Sequence, residues 1–167
     1  PLTLVWEEEN VPAILDVWFP GTEAGYAVAD VLFGDVNPSG KITATFPRSV
    51  GQVPISYNYK HTGRAPLKEK PSEKYRTGYI DETYEPLYPF GYGLSYTTFD
   101  ISKGRLNKKI ISAGQDLNFK VNVKNTGTRE GQEVVQLYIS DKKSSLPRPV
   151  KELKGFQKVK LAPGEEK

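Results

Sequence analysis

The order of apolar and polar positions divides this chain into a mixed α/β stretch, an aperiodic middle and an alternating, strand-rich end. Leu2 to Trp6 is a short apolar run with β-branched and aromatic members, stopped by Glu7-Glu8-Glu9-Asn10, which predicts a strand ending in a polar turn. Val11 to Leu15 predicts a short helical turn with Pro12 near its start, where a missing N–H costs little. Asp16-Val17-Trp18-Phe19 predicts a second buried strand, broken by Pro20-Gly21. After Thr22, a good N-cap, Ala24, Ala27, Val28, Val31 and Leu32 fall at the spacing of one helical stripe, with Gly34 placed for a left-handed C-terminal cap. Lys41 to Phe46 then alternates like an edge strand. Strand, helix and strand in succession indicate α/β architecture.

From Pro47 to Pro86 periodicity fails, and Gly, Pro, Tyr and charged residues dominate. Long structureless loops in compact domains are uncommon and often functional, so this Tyr-rich arm is the local candidate for a substrate-facing segment. Its exit is Pro86-Leu87-Tyr88-Pro89-Phe90-Gly91-Tyr92-Gly93, a shaped connector in which Pro89 fixes its own φ and the two glycines permit angles or approaches that a Cβ forbids. Ser95 to Phe99 reads as the strand that leads into a β-rich unit. Beyond it Leu117, Phe119, Val121 and Val123 alternate up to the turn signal Asn125-Thr126-Gly127, and Val135, Leu137 and Ile139 alternate again. Residues 150–156 and 157–161 predict two further strands. This is β-sandwich patterning.

Charge and composition narrow the chemistry. The chain of 167 residues has a formal charge of +3, no Cys or Met and one His, so thiolate nucleophiles, disulfides and Cys- or His-based zinc sites are excluded. No apolar run approaches the roughly 18–20 residues of a membrane span. Residues 1–95 carry 8 Lys and Arg against 12 Asp and Glu, and residues 96–167 carry 15 against 8. The lysines of the basic half are scattered, with Lys120 and Lys124 sharing a strand face, which reads as a solvated sheet surface rather than a nucleic-acid site. No metal, cofactor, nucleic-acid or membrane partner is expected.

Several runs resemble the C-terminal part of family 3 glycoside hydrolases of the β-glucosidase type. They are Trp18 to Gly25, Ala29 to Lys41 (ADVLFGDVNPSGK), Thr45-Phe46-Pro47, Tyr88 to Thr97 (YPFGYGLSYT), Val123 to Gly127, Glu133 to Tyr138 and Arg148 to Phe156. The resemblance implies that residues 1–55 are the end of the family's α/β sandwich domain, residues 56–95 a connecting arm, and residues 96–167 a fibronectin type III-like, immunoglobulin-type sandwich lacking its last strands. It also implies a parent enzyme that is a retaining exo-acting glycosidase hydrolysing terminal β-linked sugars of oligosaccharides, in the periplasm or outside the cell. Retention needs two carboxyls about 5 Å apart. The resemblance puts the nucleophilic Asp on an N-terminal barrel and the acid/base Glu upstream of Leu2, so no catalytic residue is expected in these 167 positions and the segment alone is expected to be inactive.

The substrate-binding candidates that remain are Tyr75, Tyr79 and Asp81 in the arm. Each competes with a plainer reading, since exposed loop charges and tyrosines are common. Glu23 reads as a helix-dipole partner, with substrate contact the alternative. His61 reads as a surface residue, and Trp6 and Trp18 as core rather than sugar platforms. Gly91 and Gly93 do not form a phosphate loop, because no Lys-Ser/Thr follows them. An incomplete sandwich exposes strand edges, which implies homo-oligomer pairing, partial disorder or marginal stability. A non-catalytic module binding a polysaccharide or another subunit is the alternative function.

Overall fold

The computed structural model describes residues 2–67 and 73–167. Among the described residues there are two α-helices and six strands: α1 (Val5–Asn10), α2 (Ala24–Phe33), β1 (Phe99–Ile101), β2 (Arg105–Leu106), β3 (Phe119–Lys120), β4 (Val123–Asn125), β5 (Gly131–Ile139) and β6 (Glu152–Leu161). They fall into two compact units that interleave in sequence. One holds residues 1–22, 40–93 and 136–157, the other residues 23–39, 94–135 and 158–167. Among the described residues the strands form three two-stranded sheets, β1–β4, β2–β3 and β5–β6. No helix among the described residues is long and apolar enough to cross a membrane.

In the first unit the N-terminal strands expected from the apolar runs do not form. Val5 to Asn10 is helical instead, because Glu7 and Glu8 sit in the first turn, where good helix formers also complement the dipole. Val11 precedes Pro12 and is extended, with φ −118° and ψ 142°, so the helix stops there and the turn expected over Val11 to Leu15 is absent. The strand expected at Asp16 to Phe19 is broken by Trp18, whose φ is +48° and whose N–H donates to Asp16 Oδ1 at 3.0 Å. Trp6 and Trp18 are not core either: they are 66% and 48% exposed, and Phe19 is 100% exposed.

The buried part of this unit is Thr45, Phe46, Pro47 and Gln52. Phe46 meets Trp18 edge-on at 5.8 Å and Tyr88 at 6.3 Å between ring centroids. Lys41 to Phe46 is not a continuous strand but touches the Pro86–Gly93 crossing at two points. Ile42 exchanges backbone bonds with Tyr92 and Gly91, and Phe46 with Tyr88 and Leu87. Pro89 has no N–H to continue the ladder between them. Gly91, with φ +83°, is the third residue of the turn that Tyr92 N–H closes onto the Pro89 carbonyl, the sign of φ that a type II turn requires. Gly93 lies so close to residue 40 that a Cβ would sit 2.2 Å from the Gly40 carbonyl oxygen.

In the second unit α2 ends as expected on Gly34, with φ +81°. Its N-cap is Glu23 rather than Thr22 and makes no side-chain cap bond. Ser95 to Thr98 is not yet strand. Asn37 holds this stretch instead, its Oδ1 accepting from Ser95 Oγ and Tyr96 N–H, both at 2.9 Å. Arg129 Nη2 donates to the Gly34 carbonyl at 2.6 Å, and Tyr96 OH donates at 2.8 Å to the Val31 carbonyl, which also accepts from Gly34 N–H.

The apolar core here is Val123 and Leu161, both below 5% exposed, with Asn125 wholly buried beside them. Asn125 is fully satisfied: Oδ1 accepts from Thr97 Oγ1 and Gly127 N–H, and Nδ2 donates to the Arg129 and Leu161 carbonyls. The C-terminal residues add to β4, with Val123 and Lys167 exchanging backbone bonds and Asn125 N–H donating to Glu165. Residues 150–161 hold one strand, β6, rather than two, since nothing between Phe156 and Gln157 signals a turn. Lys120 and Lys124 do not share a strand face, because they belong to β3 and β4 in different sheets.

Two substitutions test these constraints. Gly93→Ala should lower stability by about 1–3 kcal/mol, because backbone rather than a side-chain tip must yield, measurable as a lower urea midpoint. Asn125→Leu keeps the branched shape but leaves the buried Thr97 Oγ1 and Leu161 carbonyl without their partner, and should cost on the order of 3 kcal/mol by the same measurement.

Candidate functional site

The arm is held by a residue whose sequence context gave no hint of it. Gln52, 1% exposed, is the last residue of a single 3₁₀ turn (Val50–Gln52) and accepts from Arg48 N–H through Oε1 at 2.6 Å. Its Nε2 donates to the Thr83 carbonyl at 2.8 Å and more distantly to that of Glu85, and its own carbonyl accepts from Tyr79 OH at 3.0 Å. One carboxamide thus ties the start of the arm to its end, thirty-one residues later. A buried amide with every group used is both rigid and intolerant of replacement.

Around this clip the tyrosines form two clusters. Tyr79 stacks on Tyr84 at 5.9 Å, and Tyr84 meets Tyr59 edge-on at 5.3 Å. Tyr57 stacks on Phe90 at 4.2 Å, with the rings 17° from parallel, and meets Tyr138 edge-on. Backbone and polar contacts fasten both clusters to β5, β6 and the loop between them. Val150 N–H donates to the Tyr59 carbonyl, Leu153 N–H to Tyr57 Oη, and the Lys151 ammonium lies 5.2 Å above the Tyr138 ring. Tyr138 OH donates to Gln136 Oε1 at 2.6 Å, and Gln136 Nε2 donates to the Gly91 carbonyl at 2.9 Å, so the crossing is locked to β5 as well.

Burial pushes the Tyr59, Tyr84, Tyr88 and Tyr138 hydroxyls above their ordinary value of 10.0, with Glu85 adding to the effect on Tyr59 and Glu8 to that on Tyr88. These hydroxyls are therefore neutral at physiological pH, suited to donating hydrogen bonds and not to attacking carbon.

The three sequence-predicted site residues separate. Tyr79 is half-buried, its OH donating to the Gln52 carbonyl and its ring stacked on Tyr84. Tyr75 is 70% exposed at φ +67°, with the Arg64 guanidinium 5.7 Å and the Lys74 ammonium 4.9 Å from its ring centre, and Arg64 Nη1 donating to the Tyr75 carbonyl. Asp81 is exposed, and the neighbouring Glu82 accepts from Thr83 N–H. The structure brings Tyr79, and not Tyr75 or Asp81, into the aromatic cluster. Among the described residues no three His, Cys, Asp or Glu side chains converge as a metal site. The arrangement can form a rigid, hydroxyl-bearing wall.

The chain belongs to glycosyl hydrolase family 3. The family's C-terminal domain matches residues 1–96, and a fibronectin type III-like domain matches residues 133–167; the presence of the two domains is what the sequence motifs implied. It is similar over its whole length to a periplasmic beta-glucosidase of Salmonella typhimurium, at 54% identity, and to a beta-xylosidase of Formosa agariphila, at 46%. It spans 22% of the length of each of these relatives. A solved beta-glucosidase from Listeria innocua in complex with gluconolactone superimposes on 99% of this chain, covering 23% of its own, with a TM-score of 0.92 and 45% identity.

The raised tyrosines give a pH dependence. Folded groups that hold their protons above the unfolded value near 10 contribute stability that is complete below pH 10 and is lost as pH rises through the folded values. Urea midpoints should therefore fall in alkali, and the combined Tyr59→Phe and Tyr84→Phe variant should show a flatter decline.

Proposed function

We propose that this chain is the C-terminal part of a retaining, exo-acting β-glucosidase-type hydrolase that removes terminal β-linked sugars from oligosaccharides. The observation that carries the reading is the match along the entire chain to proteins named beta-glucosidase and beta-xylosidase, of which it spans about a fifth. In this reading residues 1–55 close the α/β sandwich domain, residues 56–95 form the connecting arm, and residues 96–167 form the fibronectin type III-like sandwich. The arm and its tyrosine wall, with Tyr75 and Asp81 on its open side, brace the sugar site. The nucleophilic Asp and the acid/base Glu come from polypeptide outside these residues, so the chain alone does not turn over substrate. The name of the Salmonella relative supports a periplasmic or extracellular parent.

The exposed Trp6, Trp18 and Phe19 of the first unit support the same reading. Side chains of this size sit in water at a cost of about 1.5–3 kcal/mol each relative to burial, and an N-terminal barrel would cover them. Strand edges left open in the chain by itself favour pairing between copies.

The test is reconstitution. Mixing or co-expressing the chain with the N-terminal portion of the parent should restore hydrolysis of an aryl β-glucoside that neither part performs alone. Trp6 and Trp18 are the only tryptophans of this chain, so their burial on association should shift the emission of the mixture to the blue of the sum of the two separate spectra. Turnover by the 167-residue chain alone, traced to its own carboxylates, would overturn the proposal.

A further inference from the structure

Strands β1–β4 and β2–β3 of the second unit follow one another along the same two stretches of chain, but their registers differ by one residue. Ile101 pairs with Val123, whereas Arg105 pairs with Lys120, four residues on along one stretch and three along the other. Ser102 and Asn122 bracket the step, with Ser102 N–H donating to the Asn122 carbonyl at 2.9 Å and Asn122 N–H to Ser102 Oγ at 2.8 Å. Lys103 and Gly104 therefore face Val121 alone, a β-bulge, which bends the strand and re-aims the side chains beside it.

The bulge opens onto a groove of about 620 Å³ lined by Lys103, Arg105 and Lys120 together with Asn107, Asn118 and Asn122, and by no acidic residue. Arg105 and Lys120 are direct partners in the ladder. Like charges opposite one another in a sheet repel, whereas the neighbouring ladder places Asp100 opposite Lys124. No ion pair or hydrogen bond forms on the side chains of Lys103, Arg105 or Lys120 among the described residues. Glu166 accepts from Asn122 Nδ2 at 2.8 Å.

We propose that this groove binds an acidic oligosaccharide, its carboxylate or sulfate groups bridging Arg105 and Lys120 and its hydroxyls meeting the Asn118 carboxamide, Asn107 Nδ2 and Asn122 Oδ1, since Asn107 Oδ1 and Asn122 Nδ2 are taken by Asn118 N–H and Glu166. An arginine fork suits carboxylate and sulfate oxygens, and an anion between the two cations turns a repulsive pair into an attractive triad. One aromatic ring, that of Phe119, packs on Gly104 beside the groove, whereas single-stranded nucleic acids are held by stacking successive bases on several rings. The site is independent of the hydrolase reading, because its readout is binding and not turnover.

The experiment is calorimetric titration of the intact protein with a tetramer of galacturonic acid, a neutral tetramer of glucose, sodium sulfate and a DNA duplex. Binding of the acidic tetramer alone, weakening at least tenfold between low and physiological salt, is the expected result. Arg105→Gln should weaken it at least tenfold. Lys120→Glu should abolish it while raising the urea midpoint, since it replaces a like-charge pair by an opposite one, so loss of binding cannot be ascribed to unfolding. Equal binding of the neutral tetramer or of DNA, binding of sulfate as tight as that of the tetramer, or unchanged affinity in Lys120→Glu would overturn the proposal.

Discussion

Two buried carboxamides organise this chain, and most of the rest of its structure follows from their being satisfied. Gln52 and Asn125 are each at most 1% exposed, and each gathers partners that lie far apart in sequence. The apolar core is small: Phe46, Val123 and Leu161 are the buried hydrophobic residues among those described. With so little area removed from water, the cost of leaving a buried amide unpaired weighs heavily in deciding which arrangement is lowest in free energy. The geometry of the arm is therefore set by polar accounting at Gln52 as much as by the rings around it.

Those rings turn the clip into a surface. Stacked and edge-on tyrosines carry large apolar area with few rotatable bonds, and the bonds from Gln136 to Gly91 and from Leu153 N–H to Tyr57 fasten them to long strands. A wall built this way holds hydroxyls in place without offering a nucleophile.

The elements legible from sequence were those whose signals are local and complete. The stripe of α2, its Gly34 cap, the β5 alternation and the turn chemistry of Pro89 and Gly91 all needed only neighbours in the chain to be read. The N-terminal strands were misread because an apolar run of four or five residues fits strand and helix equally. The glutamates after it, taken for a turn, in fact form the helix. Of the candidate site, the Tyr-rich arm stood out by its lack of periodicity, yet Tyr75 and Tyr79 could not be told apart, since one faces water and the other Gln52.

Sequence by itself determined the family, the aromatic and glycine chemistry of the crossing, and the places where the backbone must turn, because these depend on residue type and short spacing. Tertiary structure alone decided that Gln52 clips the arm, that Asn125 sits in the second unit's core, and that a bulge sets Arg105 against Lys120. Each of these joins residues at least fifteen positions apart, and no local preference records which distant carbonyl an amide will meet or where a register will slip.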